Sequence, residues 1–410
     1  MAASDEGARG RSGSTRRQFL LGGAAAGFGA VAALGAEHVL DRPGAAAQDA
    51  PVPVHGTETV PFHGVHQAGI TTDAQAYATF VALDLHDDVD REALGRLMRI
   101  LSDDAARLTQ GEAALADTEP ELAVAPARLT VTFGFGPRFV ERARGAAPSW
   151  LHPLPAFEID RLEPGFSDGD LLLQVTADDQ LTVSHATRML LKDARGFADV
   201  RWTQRGFRRA HGSVAPGTTM RNLFGQVDGT ANPVPGTADF DEVVWVTEGW
   251  MAGGTSAVVR RIHMDLDEWD TVGRAGREQS VGRTQATGAP LTGTREHDEP
   301  DFAARTDAGF SVIPEFSHLR RARGVDEGRH DRIFRRGYNY DDAPSGDHVS
   351  DAGLIFACFQ ADVDEQFTPM QRRLAELDLL NRWTTPIGSS VFAIPPGCEP
   401  GGFVGDTLLS

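Results

Sequence analysis

The strongest constraint on this chain is a pattern of apolar runs and amphipathic stretches that occurs once after residue 77 and again after residue 250. Tyr77 to Leu85 reads as a strand. Asp90 to Leu108 reads as a helix, because Ala93, Leu94, Leu97, Ile100, Leu101 and Leu108 recur at helical spacing. Leu129 to Phe135 and Asp170 to Thr176 are apolar strands, Thr182 to Leu191 is a helix, and a last strand begins at Val200. The order is β-α-β-β-α-β, the ferredoxin-like arrangement.

The second pass runs from strand Ala257 to Leu266 through helical stretches from Glu268, then strands Phe334 to Tyr340 and Leu354 to Gln360. Helix Gln366 to Leu377 and strand Ser390 to Ala393 complete it. The expected fold is therefore α+β, with two ferredoxin-like domains built on antiparallel sheets, residues 56–215 and 216–410. A Gly-rich segment from Gly273 to Ser311 interrupts the second domain, and a loop that long is expected to be either functional, such as the wall of a pocket, or disordered.

Residues 1–55 are set apart. Thr15-Arg16-Arg17-Gln18-Phe19-Leu20 followed by a Gly- and Ala-rich apolar stretch to Leu34 is a twin-arginine pattern. It implies recognition by the twin-arginine translocation machinery and a periplasmic, extracellular or cell-envelope destination. The stretch is too short and too weakly apolar for a stable membrane span. Ala45-Ala46-Ala47 offers small residues for cleavage, and the Pro-, Ala- and Gly-rich segment 41–55 reads as a linker.

A formal charge of −19 would repel a phosphate backbone, which excludes nucleic acid as a partner. Lys192 is the only lysine, a bias with no functional reading. Cys358 and Cys398 are too few for a disulfide framework and lack the spacing of a metal knuckle.

Three motifs carry chemistry. Gly225-Gln226-Val227-Asp228-Gly229-Thr230 holds an Asp between glycines and by itself is compatible with a plain turn. Ile313-Pro314-Glu315-Phe316-Ser317-His318 places a histidine after a proline turn, and Arg336 follows eighteen residues later in Phe334-Arg335-Arg336-Gly337-Tyr338. Together the set resembles the dye-decolorizing peroxidases, within them the exported branch that includes deferrochelatase/peroxidase proteins. Further stretches in the family's order are Phe62 to Ile70, Leu129 to Phe139, Gly169 to Asp178, Gly353 to Asp362 and Pro386 to Gly397.

The resemblance implies one haem b per chain, bound mainly by the C-terminal domain. It makes His318 the iron ligand, Asp228 and Arg336 the distal catalytic pair, and Asp378 the acidic partner of the proximal imidazole, with Glu376 nearby as the alternative. It implies haem contacts from Gly229, Thr230 and Ala231 and from Arg323, Gly324 and Val325, with Arg323 a propionate partner. Leu354 and Phe356, two apart on one strand face, are either caps over the distal side or core.

The implied activity is reduction of hydrogen peroxide at the expense of dyes, phenols or other organic electron donors. Asp228 would move the peroxide proton and the arginine would stabilise developing negative charge. The alternative within the same resemblance is haem and iron handling, with iron released from the porphyrin. An oligomer is compatible with all of this.

The remaining notable residues take structural readings. His63 and His66 lack acidic or sulfur company in the sequence for a metal, and His263, alternating with Ile262 and Met264 on a strand, is solvated or pocket-lining rather than a ligand. Tyr338 and Trp202, Trp245, Trp250, Trp269 and Trp383 are core residues or electron relays.

Overall fold

A computed structural model describes residues 54–325, 331–344 and 349–410; the twin-arginine segment lies outside them. Val54–Ser410 is one compact unit. Its first half consists of β1 (Tyr77–Leu85), α1 (Arg91–Thr109), β2 (Thr130–Phe135), α2 (Pro137–Arg142), β3 (Leu171–Ala177), α3 (Gln180–Ala194) and β4 (Ala198–Phe207). A short α4 (Ala238–Val244) precedes the second half. That half has β5 (Thr255–Met264), α5 (Leu266–Thr271), α6 (Arg274–Val281), α7 (His318–Arg323), β6 (Phe334–Arg335), β7 (Tyr338–Asp342), β8 (Asp351–Gln360), α8 (Thr368–Leu377), β9 (Thr384–Ile394) and α9 (Asp406–Leu409).

Both halves have the ferredoxin-like order expected from the sequence, with strands β2-β3-β1-β4 in one and β9-β5-β8-β7 in the other, all antiparallel. The halves also share one sheet. Phe135 pairs with Ala393 at the β2–β9 seam and Phe207 with Asn339 at the β4–β7 seam, so the pairings run in a ring.

A ring buried on both faces explains why its strands read as near-continuous apolar runs. Along β1, Ala78, Phe80 and Ala82 turn into the ring with Trp202, Tyr338 and Tyr340. Val81, Leu83 and Leu85 face outward against Leu94, Leu97 and Leu101 of α1 and Leu190 of α3. Asp90 and Asp179 cap those helices, accepting from Ala93 N at 2.9 Å and Thr182 N at 3.3 Å. Ile100 falls off the buried stripe of α1 and is exposed.

The outer face of the second half differs. Alternation sends Ala257 and Val259 of β5 and Ile355, Ala357 and Phe359 of β8 into the ring. Arg260, Ile262 and Met264 of β5, with Leu354 and Phe356 of β8, face outward onto a cavity of about 590 Å³. Where long α1 and α3 press against the first half, the short helices and loops of the second half stand off the sheet. Part of the segment 273–311 is α6, and Val281 and Arg283 at its end line the cavity, so it does form a wall.

Candidate haem site

The chain turns at Pro314, where Ser317 N and Oγ donate to Pro314 O at 3.1 and 2.7 Å, and α7 then starts on His318. The helix is six residues long and ends at Gly324 in the left-handed conformation, φ 64°. A Cβ on Gly324 would come within 2.7 Å of the Arg373 guanidinium, which hydrogen-bonds Arg321 O and Ala322 O. Gly324 thus closes the helix rather than lining the cavity.

His318 lines the cavity, and its Nδ1 lies 2.6 Å from Asp378 Oδ2. Asp378 ends α8, and its other oxygen accepts from Leu380 N at 3.0 Å, so the carboxylate is fixed from two sides. Glu376, the alternative partner, is exposed and pairs with Arg321 at 3.2 Å. Burial opposes a charge on His318, but the charge and hydrogen bond of Asp378 outweigh it and raise the imidazole's pKa. With Nδ1–H donated to a carboxylate, Nε2 is left as a basic, oriented nitrogen donor.

Asp228 enters the same cavity from a loop held by Asp228 N to Met220 O at 2.9 Å and by the Arg221–Val227 bridge. Arg335 Nη1 donates to its Oδ1 at 2.9 Å, and Asn222 Nδ2 approaches Oδ2 at 3.4 Å. The arginine at Asp228 is therefore Arg335, which corrects the assignment of Arg336. Consecutive strand residues point to opposite faces. Phe334 faces into the ring, Arg335 faces the cavity, and Arg336 turns inward again to Thr72 O, Ile70 O and Gln75 Oε1. Buried there and bound through Nη1 and Nη2, Arg336 pins the segment before β1.

Of the remaining expected contacts, Thr230, Ala231, Arg323, Leu354 and Phe356 line the cavity with Asp378. Thr230 Oγ1 donates to Glu296 at 3.0 Å, and Arg323 pairs with Glu299 at 2.8 Å. Gly229, Gly324 and Val325 are not in the lining. Gly229 turns the chain behind Asp228 at φ 127°, where its bare Cα passes Thr219.

Sequence reasoning missed Arg260 and Arg283. Arg260 is almost wholly buried, pairs with Asp160, and leaves Nε and Nη1 without partners at the cavity. Its signal was a charge in step with Ile262 and Met264 on an apolar strand. Burial lowers the pKa of Arg283, and the positive charges of Arg323 and Arg335, which line the same cavity, lower it further.

The other residues that stand out in the sequence make local packing and polar contacts. His66 stacks on Trp245 at 3.6 Å, whereas His63 does have sulfur company, its Nδ1 3.6 Å from Cys398 Sγ, contrary to the expectation from the sequence. His263 points away from the cavity toward Asp351 at 3.5 Å. Burial pushes the Cys398 thiol up to about 11 and Cys358 higher still, and both are unpaired. Trp269, stacked on Phe224 and edge-on to Trp383, packs beside the cavity, whereas Trp202 and Trp245 lie in the ring.

A histidine nitrogen backed by a buried carboxylate, apolar walls from Met264, Leu354 and Phe356, and guanidinium groups in the same lining fit a flat iron porphyrin with anionic propionates. The Dyp-type peroxidase N-terminal and C-terminal family profiles match residues 67–208 and 219–399. A dye-decolorizing peroxidase of Thermobifida fusca (strain YX) is 37% identical over 97% of this chain and 98% of its own length. A deferrochelatase of Escherichia coli is 35% identical over 96% and 97%. The crystal structure of a DyP-type peroxidase from Cellulomonas bogoriensis superposes with a TM-score of 0.84 at 53% identity, covering 87% of this chain and 100% of the other. With matches along both halves and this cavity between its elements, the chain belongs to the Dyp-type peroxidase family.

Proposed function

We propose that this haem peroxidase binds the iron of one haem b through His318 Nε2 and reduces hydrogen peroxide with Asp228 and Arg335, drawing electrons from an organic donor such as a dye or phenol. The observation that carries the assignment is the convergence of two pairs on one cavity, His318 with Asp378 and Asp228 with Arg335. The haem supplies the two-electron reduction of the peroxide bond. Asp378 keeps the imidazole in the tautomer that leaves Nε2 as donor. The Asp228 carboxylate takes the proton from one peroxide oxygen and returns it to the oxygen that leaves as water. Arg335 holds Asp228 in place and offers positive charge where negative charge develops. Leu354 and Phe356 exclude bulky molecules from that side, and Arg283 and Arg323 meet the propionates.

The deferrochelatase relatives are members of the same family, so likeness to them does not favour iron release over peroxide reduction. We assign residues 1–55 to a twin-arginine leader and linker, with the halves at 56–215 and 216–410. The motif Thr15 to Leu20 supports export, and among the described residues no helix is long and apolar enough to cross a membrane.

The test is the absorption spectrum of the haem-loaded protein before and after one equivalent of peroxide, followed by stopped flow. A Soret band that shifts within the mixing time is expected. An unchanged band, or metal-free porphyrin as the main product, overturns the reading.

A further inference from the structure

Away from the cavity, His55, Glu58 and His211 bring three ligand-type atoms within 4.8 Å of one another, all at the surface. His55 and Glu58 are a single 3-10 turn apart, with Nδ1 and Oε1 separated by 3.0 Å. That turn is anchored by Ala127 N to Gly56 O at 2.8 Å and Arg128 N to Glu58 O at 2.7 Å. His211 comes from the segment after β4, its ring 5.0 Å from that of His55.

A fourth residue orients the set. His211 Nδ1 lies 3.2 Å from Asp178 Oδ2, and Asp178 is a mostly buried carboxylate held by Arg128 Nε at 2.6 Å and Ala76 N at 2.9 Å. A histidine whose one nitrogen is bonded to an anchored carboxylate presents the other to a metal in a fixed tautomer, the carboxylate–histidine–metal arrangement. Here the arrangement stands beside a second imidazole and a second carboxylate.

We propose that His55, Glu58 and His211 bind a divalent transition metal of the zinc type, with Asp178 positioning His211. Two donors about 2.0–2.1 Å from a tetrahedral ion stand about 3.3 Å apart, close to the His55–Glu58 separation. Two imidazoles and one carboxylate suit zinc or copper(II), whereas calcium and magnesium take oxygen ligands. The fourth position is left to water. The ion ties the start of the described chain to the end of β4 and so fastens both ends of the first half to one point. By mass action it stabilises the folded state in proportion to the logarithm of metal concentration over Kd.

The competing description is two ordinary surface pairs, His55–Glu58 and His211–Asp178, and the experiment separates them. Haem-loaded, untagged full-length protein is titrated with Zn2+ by calorimetry near neutral pH, and its thermal midpoint is read with and without Zn2+. One tight equivalent per chain is expected, with a rise in midpoint. His55→Ala and His211→Ala should each weaken binding by about tenfold or more and abolish the rise. His152→Ala, which removes an exposed histidine paired with Asp364 at 3.1 Å, should leave both unchanged. If His211→Ala shifts the metal-free midpoint, Glu58→Gln supplies the same comparison. No binding, or binding indifferent to His55 and His211, overturns the proposal.

Discussion

The guanidinium of Arg335 donates to the Asp228 carboxylate across 2.9 Å, joining β6 to a loop 107 residues earlier in the chain. Its neighbour Arg336, just past the end of β6, turns to the opposite side and is bound to Thr72 and Gln75. Two adjacent arginines therefore have different work. Arg335→Leu should leave folding and haem content near normal while slowing the peroxide reaction by about 10²–10³-fold, the usual cost of removing one donor to a developing negative charge. Arg336→Leu should orphan buried acceptors and lower stability by about 1–3 kcal/mol with a smaller change in rate. Stopped-flow traces and urea midpoints on both variants decide it, and the reverse pattern would restore Arg336 to the site.

Asp378 acts on haem through His318. Asp378→Asn keeps the volume of the side chain but gives up the charge that raises the basicity of the imidazole, and haem affinity should fall by about 10–100-fold. Haem transfer to a haem-free acceptor protein measures this directly. Glu376→Gln, altering only the exposed pair with Arg321, should transfer haem at the wild-type rate.

Gly324 ends α7 with φ 64° and has the Arg373 guanidinium packed against it. Gly324→Ala should cost about 1–2 kcal/mol from the left-handed backbone, with a further loss if Arg373 is displaced from the carbonyls of α7. Haem should also be lost more readily, because His318 begins that helix. A thermal midpoint equal to wild type would show that the helix end adapts freely.

Between α1 and α3, burial pushes Asp193 up to about 7, aided by the hydrogen bond and charge of Asp104 and opposed by Lys192. The folded state thus binds a proton that the unfolded chain releases near pH 4. Stability from this group is fully present below that pH and is lost as pH rises toward about 7. The loss should be about 1–2 kcal/mol, discounted because the group is only half buried. Asp193→Asn should flatten the fall in urea midpoint between pH 4 and 7, and a wild-type slope in the variant would refute the pairing.

Much of the molecule was legible along the chain because local periodicity carries it. Tyr77–Leu85 matches its apolar run residue for residue, and most other elements shift by a few positions, as with Arg91–Thr109 against Asp90 to Leu108, although β9 begins at Thr384, well before the expected Ser390. The expected strand Phe334 to Tyr340 breaks at Arg336-Gly337, where the backbone leaves the ladder between β6 and β7. That break, together with strand alternation, settles which arginine meets Asp228. A motif records that two arginines are adjacent and is silent on which way each one faces.

The sequence alone determined the repeated βαββαβ order and the apolar faces, since each depends on residues near one another in the chain, while His318, Asp228 and Asp378 were singled out only through the family resemblance. Tertiary structure alone decided that the halves close into one ring, that helices stand off only one half to leave a cavity, and that Arg335 rather than Arg336 meets Asp228. These outcomes depend on the direction of side chains brought together across dozens to hundreds of residues. Such directions are set by strand pairing and helix packing, which no local pattern encodes.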